Sequence, residues 1–148
     1  MREQCASREL RKLSNHLRRR LMTFKSEFSG KSQTSSHFYI INFIDSQGDT
    51  PVYQRDIDTM FSLRRPTTTE ILKLMEGNGL IKKEKVTSDK RLKKIVITEK
   101  AKKMDKEFDL FLDTLENDLT KGVSDEDLQS FFQVLEKMRL NLMEKEKN

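Results

Sequence analysis

The chain has 148 residues, of which 36% are charged and 34% hydrophobic, with a net charge of +5; it fits one compact unit lean in core-forming side chains, which burial against a partner subunit would help. No apolar run approaches the ~18 residues of a membrane span and MREQCASREL lacks the apolar stretch of a signal peptide, so a cytoplasmic protein without membrane contact is expected. A single Cys5 excludes an intrachain disulfide framework, His16 and His37 with one thiol make a poor zinc cage, and five glycines form no dinucleotide or phosphate-loop pattern, so neither metal nor cofactor is expected.

Apolar residues recur at Leu10, Leu13, Leu17, Leu21, Phe24 and Phe28, one stripe of a long helix. Arg8, Arg11, Lys12, Arg18, Arg19 and Arg20 occupy its other faces, and Gly30 with the polar run after it stops the helix. Phe38, Ile40, Ile41, Phe43 and Ile44 form a short apolar segment ending at Gly48-Asp49. Its aromatic and β-branched content suits a strand as well, but the segments that follow complete a pattern needing a helix here. Asp56, Ile57, Met60 and Phe61 give one or two amphipathic turns. Pro66, favoured at a first helical position, then opens a helix that buries Thr68, Ile71, Leu72 and Met75 and closes at Gly77-Asn78-Gly79.

Ile81 to Val86 and Lys94 to Ile97 read as two strands of a hairpin around the polar loop Thr87 to Arg91. Lys82 to Lys94 carries a local +5 in thirteen residues, dense enough to attract a polyanion. Thr98 is an N-cap for a long helix with the stripe Ala101, Met104, Phe108, Phe111, Leu115 and Leu119, which Gly122 breaks. Ser124 with Asp127 resembles a capping box for a last helix with the stripe Leu128, Phe131, Leu135, Met138 and Leu142. Charge is segregated along the chain: +6 over residues 1–31, −2 over 32–53, +5 over 54–100 and −4 over 101–148. The long stripes, in a chain poor in hydrophobic residues, predict burial against a twofold partner.

Two helices joined by a tight turn and followed by a hairpin form a winged helix-turn-helix. Gln54-Arg-Asp-Ile57, Arg64-Arg65-Pro66-Thr67-Thr68-Thr69, Leu72, Met75-Glu76, Gly79-Leu80-Ile81, Asp89-Lys90-Arg91 and Thr98-Glu99-Lys100 together resemble the MarR (multiple antibiotic resistance regulator) family of bacterial repressors. Asp-x-Arg followed by Thr-Glu-Lys is the most specific part. Order and spacing match over roughly residues 36–101, and the flanking helices match the family's dimerisation elements.

The resemblance implies a mainly α fold with a small β-hairpin wing, divided into an N-terminal dimerisation helix (1–31), a winged helix-turn-helix (32–100) and C-terminal dimerisation helices (101–148). It implies a homodimer that binds double-stranded DNA, with Arg64, Arg65, Pro66, Thr67, Thr69, Glu70 and Lys73 on the recognition helix. Lys82, Lys83, Asp89, Lys90, Arg91 and Lys93 form the wing, with Arg91 entering the minor groove and Asp89 orienting it. Dimerisation falls to Leu10, Leu13, Leu17, Phe108, Phe111, Leu115, Phe131, Leu135 and Met138. A small-molecule effector would lie in a cleft near His16 and His37, and Cys5 is read as an inert thiol. The chain departs from the family pattern at Thr68, where an apolar residue is usual, and at Lys94 and Ala101, where an apolar residue and a glycine are usual. No acid, base, nucleophile or metal set converges, so an enzyme is not expected. The alternative reading is a helical dimeric protein-interaction module whose basic hairpin binds an acidic partner, but such a scaffold has no reason to carry both Thr-Thr-Thr and the wing Asp-x-Arg.

Overall fold

The computed structural model describes residues 5–24, 35–86 and 91–146. Helix α1 (Ala6–Met22) starts after the extended Cys5 and carries Glu9 in its first turn and Arg19 and Arg20 in its last, the polarity that suits the helix dipole. It ends before its apolar stripe does. The Thr23 hydroxyl donates to the Arg20 carbonyl at 2.6 Å, Phe24 follows outside the helix, and Phe28 lies outside the described residues. No residue of α1 is buried.

Helix α2 (Ser35–Ser46) settles the ambiguous apolar segment as helical. Its buried residues His37, Phe38, Ile40, Ile41 and Ile44 follow helical spacing, whereas a strand would have buried alternate positions. In α3 (Gln54–Met60) the Asp56 carboxylate accepts the Tyr53 backbone N–H at 2.8 Å, satisfying a donor that opens the helix. The turn after α3 places Ser62 at φ +50°, and the Leu63 N–H closes it on the Asp58 carbonyl at 2.9 Å. Helix α4 (Arg65–Gly77) has Pro66 in its first turn and leaves through Gly79 at φ +69°, a left-handed position suited to glycine.

Strands β1 (Ile81–Lys85) and β2 (Lys93–Ile97) form an antiparallel hairpin that pairs Ile81 with Ile97 at its base and Lys85 with Lys93 near its tip. Val52, just before α3, adds a short third partner unforeseen in the sequence: its carbonyl accepts the Ile95 N–H at 2.8 Å. Thr98 caps α5 (Glu99–Thr120) as expected. Its hydroxyl accepts the Ala101 N–H at 3.3 Å and donates to the Gly79 carbonyl at 2.8 Å, so one side chain ties the start of α5 to the end of α4. Ala101 is buried there and Lys94 is half-buried, paired with Glu84 at 3.1 Å. Ser124 opens α6 (Asp125–Glu146), accepting the Asp127 N–H at 3.1 Å and donating to the Asp127 carboxylate at 2.8 Å.

The chain divides into two compact units, residues 1–113 and residues 114–148. The first holds the core, in which α2, α4, the hairpin and the start of α5 bury Ile41, Ile57, Leu72, Met75, Leu80 and Met104. At one side of it Phe24, Phe38, Phe108 and Phe111 pack ring on ring, with Phe24–Phe38 and Phe38–Phe108 centroids 5.0 Å apart. Asp105 on α5 is buried, only 3% exposed, and its Oδ1 has no hydrogen-bond partner. Burial first, and the nearby Asp109 charge second, push its carboxyl up to about 6. In the second unit Phe131, Phe132, Val134, Leu140, Leu142 and Met143 are exposed along α6, while Leu128, Leu135 and Met138 are half-buried.

Candidate nucleic-acid interface

Helix α4 buries Thr68, Leu72 and Met75, residues spaced four and three apart, so the opposite face looks outward. That outward face carries Pro66, Glu70 and Lys73, all exposed. Thr67 and Thr69, one position either side of the buried Thr68, lie on its two flanks and are both exposed. Arg64, the extended N-cap residue, and Arg65, the first helical residue, are also exposed at the positive end of the helix. The seven recognition-helix residues therefore share one end and one side of α4. Thr68 itself is fully buried and its hydroxyl has no partner. The apolar residue usual at that place would have left no such orphan.

The hairpin brings a second set of cations to the same region. Side chains alternate across its two faces, so Ile81, Ile95 and Ile97 point into the core, and Lys83, Lys85 and Lys93 continue that face outward. Tyr53, Gln54, Arg55, Arg65, Lys83, Arg91, Lys93 and Ile95 line a cleft of about 310 Å³ between the starts of α3 and α4 and the wing. Five of these side chains are cationic and none is acidic. Such a concave strip of guanidinium and ammonium groups matches a run of phosphates. Lys83 shares its ammonium with Glu76 of α4 at 3.2 Å, an ion pair that fixes the wing to the recognition helix. Lys82 lies on the other face of β1 and is exposed. Asp89 and Lys90 lie outside the described residues.

Tyr53, Gln54, Arg55 and Ile95 line the cleft but were absent from the sequence-derived set. Arg55 stands 5.4 Å above the Tyr53 ring and 3.7 Å from Asp56, and its side chain is exposed. Gln54 bridges α3 to α4: its Nε2 donates to Thr69 Oγ1 at 2.8 Å and to the Arg65 carbonyl at 3.3 Å. Nothing in the periodicity of α3 could flag Gln54, because its contacts are made across to α4.

The remaining assignments scatter. Among the dimerisation residues Leu10, Leu13 and Phe131 are exposed, while Leu17, Phe111, Leu135 and Met138 are half-buried. Leu115 is buried, and Phe108, 1% exposed, is spent on the chain's own core. His16 is exposed with Nδ1 3.0 Å from an Arg19 guanidinium nitrogen. His37 is buried on α2, and that burial holds its imidazole below the usual range. Cys5 sits 3.2 Å from the Ser7 hydroxyl, whose hydrogen bond lowers the thiol pKa. Among the described residues no three His, Cys, Asp or Glu side chains converge as a metal site, and no helix is long and apolar enough to cross a membrane.

A model of the MarR family matches residues 34–93, the stretch from α2 through the wing. Over that stretch the chain is similar to the MarR family. Its fold is similar over nearly its whole length to the transcription regulator MarR from Oenococcus oeni PSU-1, at 25% identity and a TM-score of 0.79, covering 90% of this chain and 98% of that one. A complex of S. aureus MepR with DNA superposes at a TM-score of 0.83 and 20% identity, covering 96% and 99% of the two chains. The heme sensor PefR from Streptococcus agalactiae, in complex with heme, superposes at 0.61 and 20% identity, covering 92% and 90%. The fold, six helices with a two-stranded hairpin as wing, is thus that of MarR-family transcription regulators.

Proposed function

We propose that this chain is a MarR-family repressor that occupies a pseudo-palindromic operator as a homodimer in the cytoplasm, and leaves it when a small molecule binds. The cleft carries the reading: five cations and no carboxylate, bounded by the exposed end of α4 and by the wing. In this arrangement Arg64, Arg65, Thr67, Thr69, Glu70 and Lys73 face base edges in the major groove. Arg91, with Asp89 and Lys90 beside it, reaches the backbone or minor groove. Lys82, Lys83 and Lys93 grip phosphates. Residues 1–31 and 101–148 serve dimerisation and residues 32–100 serve DNA. Two copies hold their recognition helices about one DNA turn apart, so the affinities of the half-sites combine through effective concentration. An effector acts by favouring a different spacing of the two heads, with ~1–3 kcal/mol of coupling. The heme and DNA complexes of PefR and MepR support both halves of this proposal by kinship of fold.

The reading is tested by binding isotherms across a salt series, on duplexes enriched by the protein from a randomised library and on scrambled ones. Lys93→Ala should weaken both duplexes alike and flatten the salt slope by about one unit. Thr67→Ala should cost about 1–3 kcal/mol on the enriched duplex alone. If both variants shift both duplexes equally, α4 is not the recognition helix, and an acidic protein becomes the better partner for the basic hairpin.

A further inference from the structure

The hydroxyl of Thr69 is already committed inside the protein. Its proton goes to the carbonyl of Arg65, one turn earlier, at 2.8 Å, and its oxygen accepts from Gln54 Nε2 at 2.8 Å. The orientation of the Gln54 amide follows from the same network. The Arg65 carbonyl can only accept, so the group 3.3 Å from it is the NH₂ and the amide oxygen points elsewhere. A threonine whose hydroxyl is tied back to its own helix sits in one χ1 rotamer, held here from two directions. With its proton spent and one of its two lone pairs taken, the exposed Thr69 has its methyl group and a single remaining lone pair to offer a ligand, and the methyl is the part the network turns outward.

Every acceptor on a major-groove base edge, whether N7, O6 or O4, requires a donor, and Thr69 has none to spare. The one apolar group on that edge is the C5-methyl of thymine. We propose that Thr69 reads a thymine by methyl-to-methyl contact, and that Gln54 is the positioning residue that turns the methyl outward. This inference rests on α4 being the recognition helix, and adds to it the base and the atom that are read. It also separates Thr69 from Thr67, which lies on the opposite flank of α4.

The test uses the full chain and duplexes it enriches from a randomised library, with each thymine replaced in turn by deoxyuridine, which removes only the methyl. One thymine in each half-site should lose ~4-fold in affinity on replacement, the size expected for one buried methyl group. Thr69→Val keeps the methyl and should keep that penalty. Thr69→Ser keeps the hydroxyl network without the methyl and should bind thymine and uracil duplexes alike. Gln54→Ala should shrink the thymine-to-uracil penalty at that one position and leave the effect of every other thymine replacement unchanged, a separation that a general loss of structure or of phosphate contact would not produce. Retention of the full penalty by Thr69→Ser overturns the inference. So does a Thr69→Val variant that loses the enriched duplex, since that assigns recognition to the hydroxyl. A library that yields no enriched sequence removes the DNA-reading role of α4 itself, and the inference falls with it.

Discussion

Lys85 stands directly opposite Lys93 across the hairpin, two like charges paired where the wing leaves the core. Like charges in this relation disfavour the strand pair by roughly 0.2–1 kcal/mol, so the free protein carries a small strain that a bound polyanion relieves. Lys93→Gln should therefore act in opposite senses on stability and binding. Urea denaturation should show the variant equal to or slightly more stable than the parent. Its affinity for duplex DNA should fall, and its salt slope should flatten by about 0.9. Lower stability together with unchanged binding would remove Lys93 from the DNA-facing side of the wing.

Thr68 is the buried residue that departs from the family's usual apolar choice, and its hydroxyl is an orphan in the core. Valine has nearly the same shape and removes the unsatisfied group, so Thr68→Val should stabilise the fold by ~1 kcal/mol. The shift in denaturation midpoint at unchanged m-value measures this. Because Thr68 faces inward between the outward Thr67 and Thr69, DNA affinity should stay the same. A destabilised variant would mean that an ordered water serves the hydroxyl.

Asp105 gives the stability of the protein a pH dependence with a definite sign. Its folded pKa of about 6 lies above the ordinary 3.8, so the folded state binds the proton more tightly than the unfolded state does. Stability is then lost as pH rises through the range from about 4 to above 6, because an ionised carboxylate is left buried beside Asp109. Two pKa units correspond to up to ~3 kcal/mol. Asp105→Asn should be the more stable protein at pH 8 and lose that advantage at pH 4. His37 works in the other direction. Its depressed pKa stabilises the fold above the ordinary 6.5 and withdraws that contribution as pH falls. A flat difference between Asp105→Asn and the parent across pH 4 to 8 would contradict the assignment to this carboxyl.

Local signals made most of the architecture legible: stripe spacing for the helices, Thr98 and Ser124 as caps, Pro66 and Gly79 as the bounds of α4. The helical state of α2 was also reachable, though only from its neighbours, since Phe38 to Ile44 suits both periods. What the sequence hid were relations between elements. Val52 pairs with Ile95 across forty-three residues, Gln54 reaches Thr69 from another helix, and Phe24 leaves the α1 helix to join a ring cluster with Phe38 and Phe108. Periodicity assigned Phe108 correctly to an apolar face, but a stripe does not say whether its partner belongs to the same chain. For Phe132, 58% exposed and off the main α6 stripe, the helical count gave no reason to look.

The exposed apolar residues of α6 lead to the last prediction. Phe131 lies at 41% exposure on the same face as Leu135, Met138 and Leu142, and the core of residues 1–113 does not depend on it. In a twofold interface one substitution places two like charges near one another, so Phe131→Glu should be felt twice. Sedimentation at micromolar concentration should give about twice 17.5 kDa for the parent and a species near 17.5 kDa for the variant. Far-ultraviolet circular dichroism should show that the α2-to-wing unit remains folded. Binding to the enriched palindrome should fall toward that of a single half-site, because the second head no longer benefits from effective concentration, while the thymine-dependent contact at Thr69 persists in whatever specific binding remains. A variant that stays dimeric would place the interface elsewhere. A monomeric parent that still binds the palindrome tightly would break the link between the helical stripes and the twofold operator.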